Sequence, residues 1–181
     1  MNFKIIKDTN PIMRKKSAPV ELPLSQETKD TLDWMLDYLK KSQDSEYAEK
    51  HHIRAGVGLA AIQIGLLKRM FVVYLDQGEG DIFQVQLVNP KIIETSLKKC
   101  ALSAGEGCLS VDKDRHGLVH RYYKVKMVGF DAITNQNVEI TARGYLAVIL
   151  QHEYDHLDGL FYYDRIDKKN PDKQLLGEEL L

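Results

Sequence analysis

The hydrophobic residues between positions 25 and 40 recur every three or four residues, as they do along one face of an α-helix. Ser25, at the start of this stretch, is a residue type that often caps the first turn of a helix. The pattern predicts a helix from Ser25 to about Lys40, with its apolar face in the core. That face consists of Leu32, Met35, Leu36 and Leu39. Residues 41–52 are polar and charged, and we expect them to form a surface loop.

Several shorter segments carry the β-branched, aromatic and aliphatic residues that favour β-strands. Glycine-containing residues 78–81 form the expected turn between the first two strands, and Asn89-Pro90 is expected to end the second. A later pair of strands should form a hairpin across Thr134-Asn135. In chain order, the predicted strands lie at 70–75, 83–88, 91–95, 117–131, 136–142 and 161–166.

Residues 144–159 predict a second helix, because helix-favouring residues fill the middle and Gly159 stands where a left-handed cap would end it. The strands precede this helix without alternating with helices, so the fold class is α+β rather than parallel α/β. We expect small antiparallel or mixed sheets packed around this central helix. No repeat or linker divides the sequence, and residues 1–181 are expected to form a single domain.

Composition narrows the possible partners of the chain. The formal net charge of -1 gives no reason to expect nucleic acid or an anionic membrane as partner. No apolar run approaches the ~20 residues of a membrane span, and the first residues lack the apolar segment of a secretion signal. Two cysteines do not make a disulfide framework. We therefore expect a cytoplasmic protein with reduced thiols.

The helix at 144–159 carries two histidines four positions apart, His152 and His156. Residues at this spacing lie on one face of a helix, so both imidazoles could bind the same metal ion. Glu153 follows directly, close enough to move a proton of water at the metal. The same HExxH pattern also occurs by chance in proteins that bind no metal. Taken alone, it leaves both interpretations open.

The face that carries the histidines continues as an apolar stripe toward the start of the helix. Tyr145, Val148 and Ile149 lie seven, four and three positions before His152. A metal at the end of an apolar wall is the arrangement that a hydrolase needs to hold an apolar side chain beside its reactive centre. This neighbourhood favours the metal-site interpretation.

A catalytic metal site needs three protein ligands and one open position, so a third ligand must come from elsewhere in the chain. Cys108 lies in a glycine-flanked segment that would let a thiolate approach an ion closely. Glu178, after the second histidine, is the ligand that a zinc endopeptidase would use. The tail around Glu178 is polar and close to the end of the sequence, and we prefer Cys108.

A glycine-containing segment lies at residues 55–65, where Gly56 and Gly58 flank Val57. It lacks the third glycine of a dinucleotide-binding loop and the Gly-Lys-Ser/Thr of a phosphate-binding loop. Gln63 is the polar exception in this apolar stretch. It is either a buried, hydrogen-bonded side chain or an amide donor directed into a site.

Three segments, in chain order, resemble the signature motifs of the peptide deformylase family: Gly56-Val-Gly-Leu-Ala-Ala-Ile-Gln63, Glu106-Gly-Cys-Leu-Ser110 and Gln151-His-Glu-Tyr-Asp-His156. The resemblance extends from about residue 5 to residue 166. The long segment before the first motif is similar to the insertion-bearing subclass of Gram-positive-type bacteria. Ile62 departs from the family pattern, which commonly has proline there, and this could change the rigidity of that loop.

The resemblance implies that Cys108, His152 and His156 bind one divalent metal ion. In the family that ion works best as Fe²⁺, although Zn²⁺, Ni²⁺ or Co²⁺ can take its place. The implied reaction is hydrolysis of the N-formyl group from the initiator methionine of nascent polypeptides, with release of formate. Glu153 would transfer the protons. The Gln63 side-chain amide and the Leu109 backbone N–H would stabilise the negative charge on the formyl oxygen.

The resemblance also implies how the substrate is bound. The methionine side chain would lie on Val57, Gly58, Tyr145, Val148 and Ile149. The partners are formyl-methionyl nascent peptides and, transiently, the ribosome. The resemblance further implies an ion pair of Glu106 with Arg121, which would fix the cysteine loop.

Two other functions remain to be distinguished from deformylation. A zinc peptidase that cleaves internal peptide bonds would require Glu178 as its third ligand. A formyl-peptide-binding protein without catalytic activity would keep the fold, but an intact ligand set and Glu153 argue against it.

Overall fold

The computed structural model describes residues 3–181, and these form three α-helices, three short 3-10 helices and eight strands. The α-helices are α1 (Gln26–Gln43), α2 (Ser45–His51) and α3 (Gly144–Leu157), and the 3-10 helices are Pro11–Arg14, Ala61–Ile64 and Tyr162–Arg165. The strands are β1 (Gly58–Ala60), β2 (Met70–Asp76), β3 (Ile82–Thr95), β4 (Lys99–Ala101), β5 (Arg121–Tyr122), β6 (Lys124–Asp131), β7 (Gln136–Arg143) and β8 (Glu179–Leu180).

The strands form two sheets. The larger sheet has five antiparallel strands in the order β1-β2-β3-β6-β7, so β1 is an edge strand. The smaller sheet has the order β5-β4-β8, in which β4 and β8 are parallel. The α+β class with antiparallel and mixed sheets is therefore confirmed, and the hairpin across Thr134-Asn135 is the β6–β7 connection.

Helix α3 occupies the centre of the molecule, as predicted. It packs against strands of both sheets and against the 3-10 helix at Ala61–Ile64. Ala147, Ile149, Leu150 and Leu157 belong to the same buried cluster as residues of the larger sheet. Gly159 follows the helix in a left-handed conformation (φ 73°), in agreement with the expected cap.

The predicted first helix is present, but residues 41–52 are not a loop. Ser25 caps α1 through its Oγ, which accepts a hydrogen bond from the Thr28 N–H, and the predicted apolar face is buried. The helix continues to Gln43 and is followed directly by α2. The side chain of Asp44 accepts a hydrogen bond from the Tyr47 N–H (2.8 Å) and so caps the new helix. The N-cap hydrogen bond of Asp44 thus stabilises a helix in a segment whose polar composition predicted a loop.

The predicted end of a strand at Asn89-Pro90 is wrong, because β3 runs without interruption from Ile82 to Thr95. The pairing with β6 shifts register between Val88 and Lys91, which indicates a bulge. Asn89 has a positive φ of 51° at this point. Its side chain accepts from the Val20 N–H and donates to the Val20 C=O, both at 2.8 Å. The bulge therefore accommodates Pro90, and the strand continues beyond it to Thr95.

Two further expectations about strands are wrong. Residues 161–166 contain the 3-10 helix Tyr162–Arg165, because the Asp164 carboxylate accepts from the Phe161 N–H (2.8 Å) and turns the chain. Residues 117–120 precede β5 and are not part of a strand. Within residues 3–181, none of the helices combines the length and apolar character that a membrane crossing requires.

The Asn89 bulge leads to a test of stability. Replacing Asn89 with alanine removes both hydrogen bonds to Val20. It also puts at positive φ a residue that tolerates this conformation less well than asparagine does. We expect Asn89→Ala to lower the free energy of unfolding by about 2 kcal/mol in urea titrations. Asn137→Ala, in the exposed part of β7, should change it by less than about 0.5 kcal/mol. Equal effects of the two substitutions would contradict this role of Asn89.

Candidate metal centre and active site

A sulfur and two imidazole nitrogens meet on the inner side of α3. The ligand atoms of Cys108, His152 and His156 all lie within 4.8 Å of one another, and all three residues are buried. Cys108 Sγ is 3.3 Å from His156 Nε2, which is 3.2 Å from His152 Nε2. Among residues 3–181, this cluster does not include Glu178, whose carboxylate instead contacts His120 Nδ1 at 2.7 Å.

Local structure explains how distant residues reach the same point. The two histidines lie four residues apart on α3, with ring centroids separated by 4.8 Å. Cys108 comes from the irregular segment between β4 and β5, which contacts α3 through Cys108 and Glu106. His152 Nδ1 is 2.8 Å from the Glu106 carboxylate, and this contact leaves Nε2 directed at the cluster.

The donor set suits a divalent metal ion. One thiolate and two imidazoles are ligands that bind zinc or ferrous iron, and three protein ligands leave a fourth position open. The three donor atoms are close enough to share one ion. The carboxylate that holds His152 is the kind of outer partner that orients a metal-binding histidine.

Glu153 lies beside this cluster with one carboxylate oxygen lacking a partner. The residue is buried, and Oε2 has no hydrogen bond to the described part of the chain. Burial raises the pKa of Glu153 to about 7. An unpaired oxygen in the interior indicates a place for a polar group such as water. The carboxylate packs on Gly58, where a β-carbon would lie 2.6 Å from Glu153 Cδ.

Gln63 has a fixed orientation toward the cluster. Its Oε1 accepts from the Ala60 N–H (2.8 Å), and its Nε2 donates to Ser110 Oγ (3.1 Å). The same nitrogen is 3.6 Å from Cys108 Sγ. The amide is thus both buried and hydrogen-bonded, and its NH₂ group points to the side of the metal cluster.

A cavity of about 240 Å³ opens beside the cluster. The apolar residues of α3 form one wall, while the glycine-containing segment before β1 and the cysteine loop form the others. Val148 and Ile149 are buried in this wall, and Tyr145 remains 45% exposed at its outer end. The lining includes the sequence-predicted residues Val57, Gly58, Gln63, Cys108, Leu109, Tyr145, Val148, Ile149, His152 and Glu153.

Comparison with known proteins agrees with this geometry. The family model described as polypeptide deformylase matches residues 2–172. A peptide deformylase of Shouchella clausii is 48% identical over 90% of this chain and 88% of its own length. Peptide deformylase 2 of Bacillus subtilis is 43% identical over 94% of this chain and 92% of its own length. The chain belongs to the polypeptide deformylase family.

Solved structures of the family have the same fold as this chain. A probable peptide deformylase from Synechococcus phage S-SSM7 has a TM-score of 0.75 at 31% identity, covering 91% of this chain and all (100%) of that one. Peptide deformylase from Thermotoga maritima has a TM-score of 0.71 at 31% identity, covering 92% of this chain and 99% of that one. Family membership and the α+β architecture therefore support each other.

Three residues that line the cavity of this deformylase-family chain were missed by sequence analysis. Gln43 ends α1 in a segment expected to be a loop, so no pattern pointed to it. Arg54 precedes the first motif by two residues and pairs with Asp114 in two hydrogen bonds (2.9 and 2.7 Å). Leu102 lies near the cysteine loop. Proximity to a motif was the only available signal for the last two.

A buried charge network connects the cysteine loop of the deformylase fold to α3. Arg121 donates to both carboxylate oxygens of Glu106 (2.8 and 3.0 Å) and to Asp155 (2.6 Å), and Arg165 also donates to Asp155. Burial acts to raise the pKa of Glu106, but Arg121 and His152 outweigh it and hold that pKa at about 2. The Glu106–Arg121 ion pair expected from the motifs is therefore present.

The low pKa of Glu106 leads to a pH-dependent prediction. Its folded-state pKa lies below the ordinary 4.5, so its contribution to stability is present above that pH and is lost as the pH falls toward 2. In metal-free protein at pH 7, Glu106→Gln should lower the free energy of unfolding by about 3 kcal/mol. The gap to wild type should shrink in urea titrations between pH 4.5 and pH 3.

A matched control uses a carboxylate in an exposed ion pair. Glu94 contacts Lys124 at the surface (2.8 Å), and Glu94→Gln should change stability little at any of these pH values. A Glu106→Gln variant as stable as Glu94→Gln at pH 7 would contradict the account of the buried network.

Proposed function

We propose that this protein is a metal-dependent hydrolase that removes the N-formyl group from the initiator methionine of nascent polypeptides and releases formate. The observation that carries the proposal is the convergence of Cys108, His152 and His156 beside a buried carboxylate, in a cavity with an apolar wall. Membership of the polypeptide deformylase family supports the choice of substrate.

One divalent ion would be bound by Cys108, His152 and His156, natively Fe²⁺, with Zn²⁺, Ni²⁺ and Co²⁺ as alternatives of suitable size and ligand preference. When bound, the ion supplies a Lewis acid that lowers the pKa of water and polarises the formyl carbonyl. Its ligands are buried, and two of them, Cys108 and His152, line the cavity, which would connect the ion with solvent.

Glu153 is the proton carrier in this mechanism. Its carboxylate accepts a proton from the attacking water and returns one to the leaving nitrogen, so the formyl C–N bond breaks and a free amine leaves. A pKa of about 7 suits both steps near neutral pH. The unpaired Oε2 gives the water a hydrogen-bond acceptor without competition from another residue of the described chain.

Negative charge that develops on the formyl oxygen would be stabilised by two donors. The Gln63 amide is held by Ala60 and Ser110 with its NH₂ group toward the metal cluster. The backbone N–H of Leu109 follows the metal-binding cysteine directly in the chain. Each such donor typically lowers the barrier by about 3 kcal/mol.

The methionine side chain would occupy the apolar part of the cavity, on Val57, Tyr145, Val148 and Ile149. Burial of a methionine side chain contributes about 1.5–3 kcal/mol, enough for a preference rather than absolute selection. The rest of the peptide would pair with the open edge of β1, because the main chain of an edge strand can bind an extended peptide.

Gly58 is suited to that pairing. The Tyr74 N–H donates to the Val57 C=O (2.9 Å), so Val57 directs its backbone groups at β2. Neighbouring residues of a strand point their backbone groups in opposite directions. Gly58 therefore directs its N–H and C=O to the open edge and the cavity, which supports its place in substrate binding.

We place the enzyme in the cytoplasm, where nascent chains are its substrates and the ribosome is a transient partner. The alternative of a zinc endopeptidase is not favoured, because the Glu178 carboxylate contacts His120 rather than the metal cluster. A formyl-peptide-binding protein would not need an unpaired carboxylate at the metal site.

Formate release tests the proposed reaction and the role of Glu153 together. Wild-type protein purified without oxygen should release formate from a formyl-Met tripeptide, since ferrous iron beside a thiolate is oxygen-sensitive. Glu153→Gln should keep one metal per chain and lose turnover by about 10²–10⁴-fold. Retained turnover in this variant would exclude Glu153 as the base, and no formate from metal-replete wild type would exclude deformylation.

The two cysteines provide a matched test of metal binding. Cys108→Ser should lose the bound metal, because a neutral hydroxyl replaces the thiolate. Cys100 is equally buried, and burial raises the pKa of its thiol to about 11, so it stays protonated. Cys100→Ser should therefore keep one metal per chain by elemental analysis. Equal metal contents in the two variants would contradict the assignment of Cys108 as ligand.

A further inference from the structure

The last turn of α1 binds both backbone groups of one residue in the cavity wall. Ser42 Oγ accepts a hydrogen bond from the Gly56 N–H (3.1 Å), and Gln43 Nε2 donates to the Gly56 C=O (2.8 Å). Ser42 is itself buried, and its hydroxyl donates to the Leu39 C=O (2.8 Å) within the helix. Both peptide units that flank the α-carbon of Gly56 are therefore hydrogen-bonded to the end of α1.

The Gln43 amide also connects this segment to the larger sheet. Its Nε2 donates to the Tyr74 C=O of β2 (3.0 Å) in addition to the Gly56 C=O. An amide NH₂ group has two hydrogens, so each can bond one of these carbonyls. Gln43 thus holds the segment before β1 against β2, at the end where their ladder stops.

The segment held in this way leads directly to the catalytic part of the cavity. Gly56 lies two residues before Gly58, which packs on Glu153 and directs its backbone groups to the open edge of β1. Gly56 lies close to the Leu109 side chain of the cysteine loop, since an added β-carbon would lie 2.7 Å from Leu109 Cδ1. The two contacts from α1 hold its backbone from the other side.

We propose that Ser42 and Gln43 are positioning residues that hold the Gly56–Gly58 backbone in the geometry that pairs with the peptide following formyl-methionine. The proposal rests on the proposed deformylase function. Without Gln43, the Gly56 and Tyr74 carbonyls lose their donor. The backbone bond of Tyr74 to Val57 remains, but the segment before β1 loses its side-chain link to β2 and should open more often. Gln43 contacts neither the ligand cluster nor Glu153 through any of its hydrogen bonds, so its loss should affect peptide pairing more than chemistry.

A second glutamine provides the matched control. Gln86 in β3 is buried, and its Nε2 donates to Asp33 of α1 (2.8 Å), so it also ties this helix to the sheet. It does not belong to the residues that line the cavity. Gln43→Leu and Gln86→Leu therefore each remove a side-chain contact between α1 and the larger sheet, and only the first removes a contact with the Gly56 backbone.

The experiment compares a formyl-Met tripeptide with N-formylmethionine amide, which lacks the residues that would pair with β1. For Gln43→Leu we expect an increase in KM for the tripeptide of about tenfold. KM for the short amide, and kcat for both, should change by less than about twofold. Gln86→Leu should show no dependence on substrate length. Ser42→Ala, which removes the other contact, should shift the tripeptide KM in the same direction.

Two outcomes would overturn the proposal. One is an equal change for both substrates in Gln43→Leu, which would mean a merely structural role. The other is unchanged amide hydrogen exchange in peptides covering residues 54–60, which should exchange faster in Gln43→Leu than in Gln86→Leu. The exchange measurement does not depend on activity. If wild type released no formate, the proposed function would fail separately from the positioning of Gly56.

Discussion

The buried carboxylate of Glu106 is the interaction on which the site depends. One oxygen bonds the Arg121 side chain, and the other contacts both Arg121 and His152 Nδ1. Glu106 lies two residues before Cys108, so the same contact orients a histidine and places the sulfur loop against α3. Asp155, one turn from His152 on the helix, bonds the other side of Arg121. A buried charge this well paired stabilises one arrangement of the loop and penalises others.

The surrounding fold supplies rigidity where the chemistry needs it. Helix α3 carries both histidines, Glu153 and the apolar wall, so their spacing follows from helix geometry and not from loop conformation. The remaining groups come from the segment around β1, from the 3-10 helix Ala61–Ile64 and from the cysteine loop, and hydrogen bonds hold them in place. Gly56 is tied to the end of α1, and Gln63 is tied to Ala60 and Ser110. The edge of β1 is unpaired by any described strand, and this is the edge at which the proposed function places the peptide.

Local patterns in the sequence predicted the parts that depend on local physics. The apolar face of α1, its Ser25 cap, the hairpin and α3 with its Gly159 cap all follow from spacing and from single-residue preferences. The wrong predictions concern places where a single side chain determines the conformation of the backbone. Asp44 starts a second helix in a polar stretch, and Asn89 forms a bulge through contacts with Val20, far away in sequence. The amino-acid composition of these segments does not indicate such contacts.

Sequence alone predicted the site best where its residues belong to the same helix or strand. The two histidines and Glu153 follow from helical spacing. Cys108 was preferred as third ligand for its glycine-flanked segment and for the polar surroundings of Glu178, and the family resemblance then supported this choice. Nothing local in the sequence determines that this loop reaches α3. Gln43 was missed because the sequence predicted the end of α1 too early and assigned this cavity residue to a loop.

X-ray absorption spectroscopy of the zinc-loaded protein tests the central claim most directly. We expect one sulfur at about 2.3 Å and two imidazole nitrogens at about 2.0–2.1 Å from a single zinc ion per chain, with the remaining coordination supplied by a light oxygen scatterer. A spectrum without a sulfur neighbour would contradict the account, because Cys108 would then not share a metal ion with His152 and His156.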